Sequence, residues 1–299
     1  MNIREPVFMG SWYPGNPEKI REFLDPFRKN TSVNPSQDLN SAARAAIAPH
    51  AGWFYSGKIA ARSVSNLDSR AETAVIIGGH LPAGAPFLFA AEDAAKTPFG
   101  TMQIDNELRD LLAGKLDGRN DKYRDNTVEI ILPMIHSFFP NARLLWTRFP
   151  ADRSAFEAGK ILAKAGKSLG RSLVVLGSTD LTHYGANYGY SPKGTGKAAL
   201  DWVRNKNDAA FIQAVLRKDH AEALRCANED YSACSAGAVL GVLGFLDSLQ
   251  EIHAQAGPAD SAGFRGELLE YGTSTDAGDG EIPDSFVGYA SIVFRTLSS

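Results

Sequence analysis

Cysteine is nearly absent from this chain of 299 residues, with Cys226 and Cys234 the only two. Two thiols cannot build the disulfide framework on which small secreted scaffolds depend, and the simplest reading places them in a reducing compartment. Long apolar runs are missing as well, since none approaches the roughly 20 residues that span a bilayer. The opening Met1 to Pro6 has no apolar signal region, so a cytoplasmic location is expected. Charge of one sign is not in excess either. With 31 basic against 34 acidic residues, a net charge of -3 supplies no broad positive field for non-specific nucleic-acid binding. Neither a nucleic-acid nor a membrane partner is expected. There is no internal repeat and no linker long enough to force a boundary, so a single domain over residues 1–299 is expected.

What is present is a globular composition, 44% hydrophobic and 22% charged, which can bury a large core. Three short apolar runs stand out. Ala45 to Ala48 ends in Pro49-His50, followed by the glycine-punctuated turn Ala51 to Gly57. Thr73 to Gly79 ends in His80, and Ser172 to Thr179 ends in Asp180, with His183 three residues on. Such runs suit buried strands, and open α/β sheets release their functional residues at the carboxyl ends of strands. The expectation is that three strand ends converge on one pocket.

Between these runs the periodicity changes to that of helices. Asn16-Pro17, followed by Ile20, Phe23, Leu24 and Phe27, predicts a capped amphipathic helix. Helices are also expected over Lys58 to Val64, Asp105 to Leu112, Ala155 to Leu169, Lys197 to Val203 and Asp208 to Leu216, the last two separated by the polar Arg204 to Asn207. In Val128 to Phe139, Pro133 must start the helix late or kink it. Tyr231 to Leu249 reads as a long apolar helix whose Gly237, Gly241 and Gly244 predict close packing against the sheet. Lys29 to Ser41 reads as a loop, Thr97 to Thr101 as a turn, and Phe87 to Ala90 and Leu144 to Trp146 as strands. Leu268 to Tyr271 and Phe286 to Phe294 complete the strands. Alternating strands and helices predict an α/β/α sandwich around a mixed, largely buried sheet.

Histidines and a carboxylate at strand ends supply both metal ligands and acid–base groups. A lone His after a strand is ordinarily a hydrogen-bonding residue. The repetition at Gly- or Pro-marked ends singles out His50, His80 and His183, whereas His136, His220 and His253 sit in helical or helix-end contexts and read as structural. Asp180 is also suited to a turn or helix cap. In the turn Gly10 to Gly15, Trp12 and Tyr13 either cap the core or line a pocket.

Taken together, Gly10-Ser11-Trp12-Tyr13-Pro14, Pro49-His50-Ala51-Gly52 with Tyr55-Ser56-Gly57, Gly79-His80, Thr97-Pro98-Phe99-Gly100, Ser178-Thr179-Asp180 with His183-Tyr184-Gly185, and Cys234 resemble the MEMO-like proteins, called AmmeMemoRadiSam system protein B in prokaryotes. The resemblance implies a fold like that of the class III extradiol ring-cleaving dioxygenases, which use non-haem iron. It implies a metal site of His50, His80 and Cys234, with iron or copper the expected ion and zinc also suited to it, and Asp180 and His183 in the same pocket as the catalytic pair. Residue patterns alone do not single out Cys234, because a free Cys in an apolar helix is usually a small buried hydrophobe; Cys226, in a polar stretch, reads as structural. A thiolate in place of the dioxygenase carboxylate softens the site, so ordinary catechol cleavage does not follow from the fold. The chain departs from the family pattern at Asn126 and Ile131, where a His and a Gln are expected around Glu129. Glu129 itself suits either the pocket or a solvated helix start.

Three functions follow as expectations. The first is a non-haem, dioxygenase-like redox enzyme acting on a small, aromatic or other substrate. A second is a binding or scaffold protein taking a small-molecule or peptide ligand; Lys58 is the one cation close to the pocket motifs, which disfavours anion recognition. The third is hydrolysis, or an accessory role in a modification system beside the AMMECR-like and radical S-adenosylmethionine proteins for which the prokaryotic relatives are named.

Overall fold

A computed structural model describes residues 1–29, 42–256, 263–278 and 282–297. The loop expected over Lys29 to Ser41 therefore lies outside the described residues, apart from Lys29, which ends a helix.

The chain opens with a short strand, β1 (Ile3–Arg4), and the expected helix α1 (Pro17–Lys29), capped by Asn16, whose Oδ1 accepts from Glu18 N at 2.7 Å. Strand β2 (Ala43–Ala48) turns at His50 into α2 (Trp53–Ser65), and β3 (Thr73–Gly78) follows. Next come β4 (Leu88–Ala90), the hairpin β5 (Ala94–Thr97) and β6 (Gly100–Gln103), helix α3 (Asn106–Lys115) and β7 (Arg119–Asp121). Pro133 divides the next helical stretch into α4 (Asn126–Glu129) and α5 (Leu132–Phe138). It sits in the first turn of α5, where no N–H is needed.

Strand β8 (Arg143–Arg148), helix α6 (Ser154–Ser168) and β9 (Leu173–Ser178) form a parallel crossover unit. The last third holds β10 (His183–Gly185), α7 (Gly196–Trp202), α8 (Asp208–Leu216), α9 (His220–Glu229), α10 (Ala236–Ala256), β11 (Phe264–Thr273) and β12 (Ser285–Thr296). The polar Arg204 to Asn207 is no break between helices. It belongs to a π-helical turn, Val203–Asn207, joining α7 to α8, and Arg204 bonds Thr273 at 2.9 Å across the fold.

The main sheet runs β10-β12-β2-β9-β3-β8-β4-β7, with β11 on the other side of β12. Its middle, β2-β9-β3-β8, is parallel, and β12 and β4 join it antiparallel. Side chains of the middle strands alternate between two cores. Ile47, Val75, Ile77 and Val175 face the α6 and α10 side, while Ala46, Ile76, Val174 and Leu176 face the side of α1, α2 and α5. Burial on both faces is why these strands read as unbroken apolar runs. The result is the expected α/β/α sandwich on a mixed sheet. No helix among the described residues is long and apolar enough to cross a membrane.

The long apolar helix begins later than its composition predicts. Residues 231–235 do not join it: Tyr231 has φ +51°, Ala233 bridges Leu181, and Cys234 N donates to Asp180 O at 3.2 Å. Pairing with the exit of β9 outcompetes helix propensity there. Of its glycines, Gly241 faces Ile77 of the sheet as expected. A Cβ at Gly237 or Gly244 would instead overlap the backbone of Pro150 or Phe156, so close approach to α6 and the loop before it dominates.

Candidate metal centre

The parallel register explains how distant residues meet. Ala48 is paired with Ser178 and Ile77 with Gly177, so Ala48, Ser178 and Gly78 lie in one row across β2, β9 and β3. His50, Asp180 and His80 each follow two residues after that row. All three emerge together at the carboxyl edge.

At His80 the backbone turns sharply, with φ +56°, a left-handed conformation that is rare without a structural demand. Gly78 and Gly79 precede it because a Cβ at either would collide with Thr127 or Ser235, whose segments close over the strand end. This turn brings His80 Nε2 within 3.3 Å of His50 Nε2, while Cys234 Sγ lies 3.3 Å from the same His50 nitrogen. One donor atom from each of His50, His80 and Cys234 lies within 4.8 Å of the others. Donors about 3.3 Å apart match the edges of a tetrahedron with bonds of about 2.0–2.3 Å, the range for imidazole and thiolate ligands of a first-row metal. The donor set fits.

Both imidazoles are held from behind. His50 Nδ1 meets Ser178 Oγ at 2.9 Å, and His80 Nδ1 donates to Asp125 Oδ2 at 3.1 Å, leaving both Nε2 atoms toward the cluster. Asp125 is gripped in turn by buried Arg148 at 3.3 Å and by Thr127 N at 2.9 Å, and Arg148 Nε donates to Gly79 O at 2.9 Å. Such carboxylate–histidine pairs fix ring orientation and raise ligand basicity. Asp180 is buried. Its Oδ1 accepts from the backbone N of His50 at 2.7 Å, and its Oδ2 lies 4.0 Å from His50 Nε2. His183 Nδ1 donates to Leu181 O at 3.1 Å, which leaves its Nε2 free, and its ring meets Tyr188 edge-on.

Charge is strongly redistributed. Burial resists ionisation of Cys234, but His50 and His80 beside it hold its thiol well below the ordinary range. Burial disfavours the charged imidazoles too, yet Asp180 and Cys234 raise His50, and Asp125 with Cys234 pushes His80 up to about 10. Burial raises Asp180, whereas His80, Thr127 and Arg148 more than offset burial at Asp125 and lower it. The shifts run toward a charge-paired cluster, with the Cys234 thiol lowered by the imidazoles beside it and both imidazoles raised by its proximity.

A cavity of about 720 Å³ opens on the cluster. His50, His80, Asp180, His183 and Asn126 line it, so the predicted residues at the three strand ends share one space; Trp12, Phe54, Tyr55, Tyr188 and Tyr289 supply its aromatic surface. Asn126 Nδ2 also bonds His50 O at 3.1 Å, whereas Ile131 is core. The departure from the family pattern therefore reaches the cavity at Asn126. Glu129 is neither in the cavity nor solvated. Buried, it accepts from Val7 N, Phe8 N and Tyr13 OH at 2.9, 2.7 and 3.0 Å, pinning the N-terminal turn. Within that turn Trp12 lines the cavity and Tyr13 is core.

Sequence reasoning missed Asp125, Arg148 and Ser178. Asp125 looks like a helix cap and does cap α4, with no pattern to reveal its second bond. The sole signal was Arg148, a charge ending an apolar strand that must be paired if buried.

The fold and cluster define an α/β protein with a candidate His/His/Cys metal centre at the carboxyl edge of its sheet. The sequence matches the Memo-like protein family over residues 4–293, and the chain belongs to that family. It is 31% identical to a MEMO1 family protein of Thermococcus onnurineus (strain NA1), covering 98% of this chain and 99% of that one. With a MEMO1 family protein of Pyrobaculum arsenaticum identity is 29%, over 99% and 100% of the two chains. An uncharacterized Escherichia coli K12 protein of solved structure aligns with TM-score 0.44 and 12% identity over 83% of this chain and 99% of its own, too distant to support an argument.

Proposed function

We propose that this chain is a metal-dependent redox protein, dioxygenase-like, that holds iron or copper through His50, His80 and Cys234 and acts on a small substrate in the adjoining cavity. The observation that carries this reading is the convergence of the Cys234 sulfur on two imidazole Nε2 atoms, whose histidines line a cavity large enough for a small molecule. When bound, such a metal supplies Lewis acidity and one-electron redox chemistry.

The chain's own residues do the rest. Ser178 and Asp125 orient the ligand imidazoles. His183, with Nδ1 committed to Leu181 O, presents Nε2 to the cavity as the proton carrier. Asp180 lines the same space and takes the role of binding or orienting the substrate. Lys58 does not line the cavity, and among the described residues neither does any other Lys or Arg, which disfavours a phosphate or carboxylate ligand.

The test is the metal content of untagged protein, wild type beside His50→Ala, His80→Ala and Cys234→Ser, followed by oxygen uptake of Fe(II)-loaded protein over a panel of phenols. Near-stoichiometric iron or copper, lost in each variant, together with uptake on at least one phenol, is expected. Wild type that is metal-free and rejects Fe(II), Cu(I) and Zn(II) overturns the metal site. Loaded protein inert toward the whole panel overturns the dioxygenase-like reading.

A further inference from the structure

Beside the metal cavity lies a second hollow of about 510 Å³. Ser11, Trp12 and Phe54 line both, and Tyr13, Phe23 and Trp53 extend the aromatic surface away from the cluster. Four aromatic side chains of the metal cavity remain open to solvent: Trp12 is 41% exposed, Phe54 75%, Tyr55 52% and Tyr188 47%. Exposed apolar rings gathered at one opening mark a binding surface rather than ordinary protein exterior.

The shelf is built before any ligand arrives. Trp12 O accepts from Trp53 N at 2.8 Å, and the Trp12 ring packs on Phe8 with centroids 5.2 Å apart. Trp53 is anchored by its own Nε1 on Ile130 O at 3.0 Å and by Phe23 at 5.0 Å between centroids. Glu129, through Val7, Phe8 and Tyr13, secures the turn that carries Trp12. For Trp12 little ordering is left for a ligand to impose, which favours affinity.

Charge narrows the ligand further. Among the described residues Asp180 is the one carboxylate that lines the metal cavity and no Lys or Arg joins it there; exposed Lys19 is the one cation that lines the second hollow. Each hollow falls in the size range of a small-molecule site, about 300–1,000 Å³. We infer that the two hollows take one extended ligand: an uncharged molecule with a polar ring at the His/His/Cys cluster and a second planar apolar group against Trp12 and Phe54. This rests on the metal-site reading for the first ring only; the shelf stands on its own contacts.

The test uses Zn(II)-loaded full-length protein, redox-inert, titrated calorimetrically with catechol, 2,3-dihydroxybiphenyl and 2,3-dihydroxybenzoate. The biphenyl is expected to bind about tenfold or more tighter than catechol, and the benzoate no tighter than catechol. Phe54→Ala, at an exposed position, and Trp12→Ala should each cut the biphenyl advantage to about threefold or less with zinc content retained. Equal affinities for catechol and the biphenyl, an advantage untouched by both variants, or tightest binding by the benzoate would overturn the inference. Metal-free protein titrated with phenol and 2-phenylphenol separates the two readings. If zinc does not bind, a 2-phenylphenol preference lost in Phe54→Ala supports the shelf while the metal reading falls, and absence of that preference sinks the shelf.

Discussion

Cys234 and Cys226 carry the same side chain and opposite chemistry. Cys226 is buried beside Glu222, and burial first, then that carboxylate, pushes its thiol up to about 11, whereas the imidazoles at Cys234 hold a thiolate. At pH 7, iodoacetamide is expected to label Cys234 in metal-free protein at least about tenfold faster than Cys226, and Zn(II) to suppress that labelling. Equal rates read by peptide mass spectrometry would remove the activated thiolate. Because His50 and His80 hold their protons more tightly than free imidazole, a metal must displace those protons; apparent affinity should fall as pH drops from about 9 to 6, by up to about tenfold per unit for each proton displaced. Asp125→Asn keeps an acceptor for His80 but loses the charge, and a metal Kd about 10–100-fold weaker is expected from competition with a chelator. An unchanged Kd would reduce Asp125 to a helix cap. At this scale His50 and His80 were legible because each follows an apolar run at a Gly or Pro mark. Cys234 was not, since its small apolar neighbours look like helix, and it owes its place to a backbone pairing with Asp180.

Helices α6 and α10 meet through glycine. A Cβ at Gly159 would strike the Gly241 carbonyl, and one at Gly244 the Phe156 carbonyl, both backbone groups that cannot rotate away. Gly244→Ala should therefore cost about 3 kcal/mol, measured by urea unfolding, although alanine is the better helix former. Gly114→Ala in α3, where a Cβ meets nothing within 4 Å, is the control and should stabilise by up to about 1 kcal/mol. A neutral Gly244→Ala would mean that the two helices have room to separate. The glycines of α10 were visible as a pattern. Their partner was not, because periodicity reports which face of a helix is special and not which element faces it.

For the molecule as a whole, Asp208 is a joint between distant parts of the chain. Fully buried at the start of α8, it accepts from Thr182 N at 3.1 Å, from Thr182 Oγ1, and from Tyr271 OH of β11 at 2.7 Å, and it sits against Gly288 of β12. Burial raises its pKa to about 6 from an ordinary 3.8, despite the bonds that favour its charge. The folded protein thus keeps this proton where the unfolded chain releases it. Its contribution to stability is full below about pH 4, falls as pH rises to 6, and is flat beyond, a change of about 3 kcal/mol. Asp208→Asn should flatten that part of the stability curve in urea titrations at pH 4 to 7, and an unaltered slope would assign it to other groups. The sequence by itself determined the strand runs, the turns after them and the two histidines they deliver, because strand burial and turn chemistry are set by neighbours a few residues apart. Only the tertiary structure decided that β9 inserts between β2 and β3, that Asp125 and Arg148 back His80, and that Cys234 reaches His50 across 184 residues of chain. Those contacts depend on strand order and on which backbone pairs with which, and a local pattern carries no record of either.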